Sequence, residues 1–458
     1  MKRIIHLSFL ASIVVVNSMA ADDLASMFSD GKVSGQFREF TISREVDDTR
    51  TAANNDYMRK ANAVGGYLKY ETGAWNGLSL GAAAYGTIGF ALRDRTDLKQ
   101  VDPTLLGEQN SNDLYLGEAY LQYKNGNTAF KAGRQKLDTP LAGSDDARML
   151  PNLFEAYVLS NTDVKDTTLI AAHVTKFAQG TFGRVYDAST NSGTTGNNVL
   201  SATSGYSYWD SRNQAGDFTD MGEYAVNKNT AGVSVVAGIY SGIPGLKLQL
   251  WDYYAHDILN AIYGEANYGW SYASGIAPYL AAQYIKEDNI GSDYAGNVNS
   301  DFMAAKIGVK VANFDIYGAV SHNSKDATAT TNGGTISPWG GMPAYTQGMV
   351  TRHQFMAGTD ASKIAAAYDW KNFGISLNTS VYYASYDMDA LNGYAIGQSW
   401  TATESGFDII FNPQTFKNLQ LRLRANYTDD FYQYSSVTPS ANGSVSWDEY
   451  RFIANYNF

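Results

Sequence analysis

Arg422 and Arg424 stand two residues apart in the stretch LQLRLRANY (419–427). On an extended chain that spacing puts both guanidinium groups on one face and Leu419, Leu421 and Leu423 on the other. Lys306 and Lys310 repeat the device in DFMAAKIGVKV (301–311), opposite Met303, Ile307 and Val309. Arg38, Lys69 and Arg451 fall on the same kind of face in their own alternating segments, with Glu71 and Glu118 as the few acids among them. Cationic groups repeated along one wall bind carboxylate oxygens, guanidinium two at a time, and can hand an anion onward. A second charged group has no alternation: Asp145, Asp146 and Arg148 lie between Pro140 and Pro151, with Asp138 just ahead. A zwitterion would be held at both ends, its carboxylate on the basic wall and its ammonium on these acids. The same charges also suit the plain hydrophilic lining of a water-filled barrel, and Asp in such a stretch also bonds its own turn.

The elements that must carry these residues are strands. Period-two alternation recurs from end to end, as in GLSLGAAAYGTIGF (77–90) and GISLNTSVYYAS (374–385). Short connections (72–77, 125–127, 242–245, 311–315, 371–374, 412–418) alternate with long polar ones (43–60, 91–112, 135–151, 176–227, 287–299, 322–360, 385–399, 428–446). That rhythm predicts an all-β chain: a single transmembrane antiparallel β-barrel of about 18 strands, with short periplasmic turns and long extracellular loops. No internal repeat or domain break interrupts it. The 33 Tyr supply aromatic girdles at the two membrane interfaces. In TAFKAGRQ (128–135) alternation makes Lys131 and Gln135 the lumen candidates rather than Arg134, unless a bulge near Gly133 reverses the face. The chain closes on YRFIANYNF (450–458), whose alternating aromatics end at Tyr456 and Phe458. A terminal strand of this kind closes the barrel, and its aromatic end is the expected signal for outer-membrane assembly machinery.

The start of the chain reads as a secretory signal. Lys2 and Arg3 precede an apolar run from Ile4 to Val16, and Ser18 and Ala20 sit at −3 and −1 of a cleavage site after Ala20. The expected organisation is therefore signal peptide 1–20 and barrel domain 21–458. No other run approaches the ~18 apolar residues of a membrane helix. A formal charge of −11 argues against a nucleic-acid partner. Absence of Cys excludes a disulfide framework and a thiol nucleophile. His173, His256, His322 and His353 show no metal-ligand spacing, and no nucleophile elbow or phosphate loop appears. The expectation is no enzyme and no resident cofactor, with acidic loops as candidates for Ca²⁺.

The stretch GRQKLDTPLAGSDDARMLPNLFEAYVLSNTDVKDTTLIAAHVTK (133–176) resembles the OprD-type outer-membrane porins. Its GRQ…DTP…DDxRMLPNxFEAY pattern is similar to their third extracellular loop, which folds into the barrel and narrows the pore. GQFREFTISR (35–44) resembles their first strand, and GGYLKYETGAWNGLSLGAAAYG (65–86) their second hairpin. Loops 176–227 and 322–360 match poorly. The resemblance implies an 18-stranded barrel that passes small solutes, often amino acids or carboxylates, without an energy source. It also implies a basic ladder, with Arg422 and Arg424 on a comparable late strand and Asp145, Asp146 and Arg148 on the loop facing it. The expected partners are small-molecule solutes, outer-membrane lipid, lipopolysaccharide and the assembly machinery, with the chain a monomer or a homotrimer. A surface-structural or adhesive barrel with little transport is the alternative. Ion selectivity stays open, because acids at the mouth attract cations while bases at the waist favour anions.

Overall fold

The computed structural model describes residues 20–49, 55–97, 99–182, 200, 216–393, 397–435 and 442–458. The expected signal segment lies outside them except for Ala20, and so does most of loop 176–227. The barrel begins with β1 (Lys32–Asp48), β2 (Tyr57–Glu71), β3 (Leu78–Gly89), β4 (Asp113–Asn125), β5 (Thr128–Gln135) and β6 (Leu153–Asn161). It continues with β7 (Thr167–Ala178), β8 (Val233–Tyr240), β9 (Leu246–Ala255), β10 (Leu259–Gly269), β11 (Ile276–Asp288) and β12 (Asn299–Val311). β13 (Phe314–Asn323), β14 (Asp360–Asp369), β15 (Leu377–Met388), β16 (Trp400–Phe411), β17 (Leu419–Ser435) and β18 (Asn442–Asn457) complete it. Two six-residue helices, α1 (Leu24–Ser29) and α2 (Met221–Val226), lie outside the wall strands.

Each strand pairs antiparallel with the next, and β18 pairs with β1 from Asn457 opposite Gln36 to Val445 opposite Asp48, so 18 strands close on themselves. The chain end is held in the sheet: Gly35 N–H donates to the Phe458 carbonyl at 2.9 Å, and Phe458 N–H to the Gly35 carbonyl at 3.0 Å. Closure leaves no edge in the hydrocarbon, where an unpaired peptide group would cost several kcal/mol. Tight turns use left-handed residues where two strands meet. Asn76 (φ 49°) and Gly77 (φ 84°) turn the chain between β2 and β3, and a Cβ on Gly77 would lie 2.3 Å from the Lys124 carbonyl.

Alternation sorts the side chains as the chemistry requires. Leu114, Ile307, Ile364 and Val320 project outward and are exposed, whereas Trp251, Tyr263 and Arg451 project inward and are buried. Two features depart from the sequence reading. Segments 43–60 and 428–446, read as loops, are largely strand: β1 runs to Asp48, β2 starts at Tyr57, and β17 reaches Ser435. Polar residues can extend a strand because pairing continues past the apolar band. The extracellular half of the lumen is also filled rather than open. Leu137, Leu141, Trp339, Met342 and Phe355 from the loops pack with Phe154, Val235, Trp251 and Phe302 from the wall.

Candidate functional site

Among the described residues, two long loops enter the barrel, beside the segment whose Val101, Leu105 and Leu106 also pack inside. The first, 136–152 between β5 and β6, docks on the β18–β1 wall. Arg38 Nη1 donates to Asp146 Oδ1 at 2.8 Å and also to the Arg148 carbonyl, while its Nε donates to Asn455 Oδ1 at 2.9 Å. Burial pushes the Asp146 carboxyl upward, but Arg38 and Lys136 outweigh it and hold the group below its ordinary range. Lys136 Nζ lies 3.4 Å from the other Asp146 oxygen. Asp138 accepts from Ser144 through the hydroxyl and through the backbone N–H at 3.2 Å, which closes the loop's own turn.

Arg148 does not face a solute path. It is fully buried and donates to Glu449 at 3.1 Å and to Thr104 at 3.1 Å. Glu449 also meets Arg44 and Arg451, the latter at 2.9 Å, so three guanidinium groups surround one buried carboxylate. Removing one partner from such a set is strongly destabilising, which fits an anchor for the loop. Arg451 faces inward as alternation requires, but at 1% exposure it is sealed beneath that loop. Arg59 and Asp102, 2.9 Å apart, form a neighbouring buried pair.

The second loop, 324–359 between β13 and β14, closes over the first. Asp145 binds Arg352 at 3.2 Å and accepts the Gly341 N–H at 3.2 Å. Burial raises the Asp145 carboxyl, and Arg352 only partly offsets it. The loop is also tied to the wall by two carboxylates. Glu287 accepts the Ile336 N–H at 2.7 Å, and Glu404 accepts the Thr351 N–H at 2.8 Å along with Met349, Val350 and the Tyr382 hydroxyl. Sequence reasoning missed this loop's role. Its signal is present in β6–β8, where Phe154, Ala156, Val158, Val233 and Val235 are apolar yet inward, as a plain water-filled barrel would not need.

The rest of the wall is mixed. Arg422 grips Asp408 through Nε at 2.8 Å, and Arg424 lies 3.2 Å from the same carboxylate and directly opposite Arg451. Lys69 lies between Glu118 at 3.4 Å and Glu71 at 3.7 Å, and Lys310 pairs with Asp315 at 3.4 Å. Asp408 and Asp315 therefore add to the inward acids read from the sequence, as does Glu265 of β10, on the face of Ala261 and Tyr263, which accepts from Gln249 at 3.1 Å. Alternation in TATESGFDIIF (401–411) would have found Asp408 and Glu404, four residues apart on one face. Lys131 and Gln135 are inward and Arg134 outward, and the register through Gly133 is unbroken.

Three inward lysines lack an ion-pair partner within 4.0 Å among the described residues: Lys131, Lys306 and Lys363. They lie against aromatic faces instead. Lys131 Nζ is 3.7 Å from the Tyr120 ring centre, Lys306 is 4.3 Å from Tyr345 with Tyr279 and Tyr317 beyond it, and Lys363 is 4.7 Å from Tyr382. Lys363 also donates to the Gln347 carbonyl at 2.6 Å. Among the described residues, no three His, Asp or Glu side chains converge as a metal-binding group, so none places the Ca²⁺ considered for the acidic loops.

A closed 18-strand barrel with an apolar outer band, an ionisable lumen and inward loops defines an outer-membrane channel for small solutes. The chain belongs to the OprD family of outer membrane porins, whose family model matches residues 25–458. Solved structures from Pseudomonas aeruginosa share the fold at low identity. OpdK with vanillate superposes with a TM-score of 0.70 at 15% identity, covering 94% of this chain and 99% of that one. OccK9 (OpdG) gives 0.71 at 17% over the same shares. OpdQ gives 0.68 at 16%, covering 95% and 99%. No curated protein matches significantly. Family and structural neighbours alike are channels rather than enzymes.

Proposed function

We propose that the barrel of residues 21–458, after cleavage of the signal 1–20, passes small polar solutes by passive diffusion and favours those that carry a carboxylate. Selectivity comes from the basic lumen wall facing the inward loop 135–151. The observation that carries this reading is the set Lys131, Lys306 and Lys363, lumen cations with aromatic faces beside them and no carboxylate holding them. A cation with no carboxylate paired to it attracts an anion, and the neighbouring rings suit a flat or apolar remainder. The relative crystallised with vanillate, an aromatic carboxylate, supports the same solute class. Arg38, Lys69, Lys310, Arg422 and Arg424 add positive potential, reduced by the acids that hold them. Arg148 and Arg451 act instead through the loop they anchor. The outward Tyr456 and Phe458, 44% and 52% exposed, suit recognition by assembly machinery, and the outer wall meets lipid and lipopolysaccharide. Deleting residues 142–147 removes the Asp145–Arg352 clasp and the Asp146–Arg38 contact together. Single-channel conductance should rise severalfold, and an unchanged conductance would remove loop 135–151 from the constriction.

A further inference from the structure

The outer wall brings two of the chain's histidines together. His173 lies on β7 and His256 just past the end of β9, with Ser234 of β8 between them. Alternation turns all three outward, because Val174, Val235 and Ala255 beside them are buried inside the barrel. His173 is directly opposite Ser234, and Ser234 directly opposite the outward Tyr254. His256 continues the ladder, its N–H donating to the Gly232 carbonyl at 3.0 Å. β8 starts at Val233 and β9 ends at Ala255, so the group stands at the extracellular rim of the wall.

The two rings converge on one oxygen. His173 Nδ1 lies 3.1 Å from Ser234 Oγ, and His256 Nε2 lies 3.0 Å from the same atom. A hydroxyl has one proton, so it donates to one ring and accepts from the other. The ring centres are 6.0 Å apart, with planes at 73°. Two imidazoles on one tetrahedral ion, with metal–nitrogen bonds of about 2.0–2.1 Å, have centres about 5–5.5 Å apart. The observed spacing exceeds that by about an ångström or less, which a small turn of each ring closes.

Neither ring is committed to a charged partner. Among the described residues neither forms an ion pair within 4.0 Å, whereas His322 pairs with Asp360 at 2.8 Å and His353 is buried against the Phe431 carbonyl at 2.7 Å. Tyr254 meets His256 edge-on at 4.9 Å between ring centres and fixes its plane. Gly232, opposite His256, sets no side chain over the group, and a Cβ there would lie 2.3 Å from the Val174 carbonyl. Towards the membrane the wall turns apolar, with Leu169, Val236 and Leu250 exposed.

We propose that His173 and His256 form a binding site for a divalent transition-metal ion of the zinc class on the outer wall at the extracellular rim. The two ring nitrogens exchange their hydrogen bonds to Ser234 for bonds to the ion, and the Ser234 oxygen and water complete its shell. The donors choose the metal: imidazole suits Zn²⁺, Cu²⁺ and Ni²⁺, whereas Ca²⁺ and Mg²⁺ take oxygen ligands. A bound ion ties β7 to β9 across β8. No spacing along the chain announces this pair, because its members come from separate strands and meet only through the register.

The chain has no cysteine, so no thiol competes for the ion. Folded barrel of residues 21–458 in detergent is titrated with zinc chloride at neutral pH by calorimetry, its fold confirmed by heat-modifiable migration on gels. One ion per barrel, bound with roughly micromolar affinity, is the expected result. His173→Ala and His256→Ala should each weaken it at least about tenfold, while His322→Ala leaves it unchanged. One equivalent of Cu²⁺ should show nitrogen hyperfine structure in its electron paramagnetic resonance spectrum, and either of the first two variants should lose it. Absence of saturable zinc binding by the wild type overturns the proposal whatever the variants do. An affinity unchanged by His173→Ala or by His256→Ala overturns it too, as does an equal loss in His322→Ala.

Discussion

Glu404 offers the sharpest handle on the second loop. Its buried carboxylate accepts Thr351 N–H at 2.8 Å and also takes Met349 N–H, Val350 N–H and the Tyr382 hydroxyl. Glu404→Ala leaves the Val350 and Thr351 N–H groups and the Tyr382 hydroxyl without an acceptor, while Met349 N–H keeps the Tyr382 oxygen at 3.1 Å. Each orphaned donor costs about 1–3 kcal/mol, and lumen water recovers part of that. A net loss of about 2–4 kcal/mol for the docked loop shifts its undocked population roughly 30- to 1,000-fold. Remaining ties, such as Ser321 to Thr346 at 2.7 Å and Arg352 to Asp145, keep the loop near the lumen. The variant should therefore flicker between conductance levels in a planar bilayer, and amides 349–351 should lose protection from hydrogen exchange. Glu404→Gln keeps one acceptor oxygen and should fall between. Full protection of amides 349–351 in Glu404→Ala, with wild-type conductance, would refute the claim that this carboxylate holds the loop.

Two further outcomes follow from the same contacts. A Cβ on Gly348 would lie 2.6 Å from the Glu404 carboxyl carbon, so Gly348→Ala should reproduce the flickering of Glu404→Ala with the carboxylate intact; a quiet channel would show that the loop has room to shift. His353 is buried and donates through Nε2 to the Phe431 carbonyl at 2.7 Å, and burial pushes its imidazolium pKa down to about 4. The undocked loop binds a proton at an ordinary pKa of 6.5 that the docked loop refuses, so stability is full above pH 6.5 and falls as pH drops toward 4, by about 3 kcal/mol in all. Loop opening by hydrogen exchange, corrected for intrinsic rates, should grow over that window, and that growth should vanish in His353→Gln.

The barrel was legible because its physics is repetitive. Leu419, Leu421 and Leu423 against Arg422 and Arg424 state both faces of a strand in a few residues, and the chain says the same thing eighteen times. Inward direction was legible for the same reason, and it placed Arg38, Lys69 and Lys306 on the lumen side. Accessibility was not. Glu449 shares the Arg451 face of β18, but whether Arg451 also meets water depends on a loop more than 300 residues away in sequence, and alternation carries no such information. Asp145, Asp146 and Arg148 are adjacent in the chain, yet one binds the other loop, one binds the wall, and one is buried behind both. The loops carry no period to read, so their partners emerge only in space. The acids opposite the basic residues were partly readable: Asp408 alternates with its neighbours as plainly as Arg422 does.

The central claim is that lumen cations without a paired carboxylate give the channel a preference for anions. The direct test is the reversal potential of single channels in a planar bilayer across a KCl gradient, for the wild type and for the combined variant Lys131→Gln, Lys306→Gln, Lys363→Gln. The account predicts an anion-leaning potential in the wild type that moves toward zero or beyond in the variant, with conductance steps retained. A cation-leaning wild type, or a variant whose potential does not move, would contradict it.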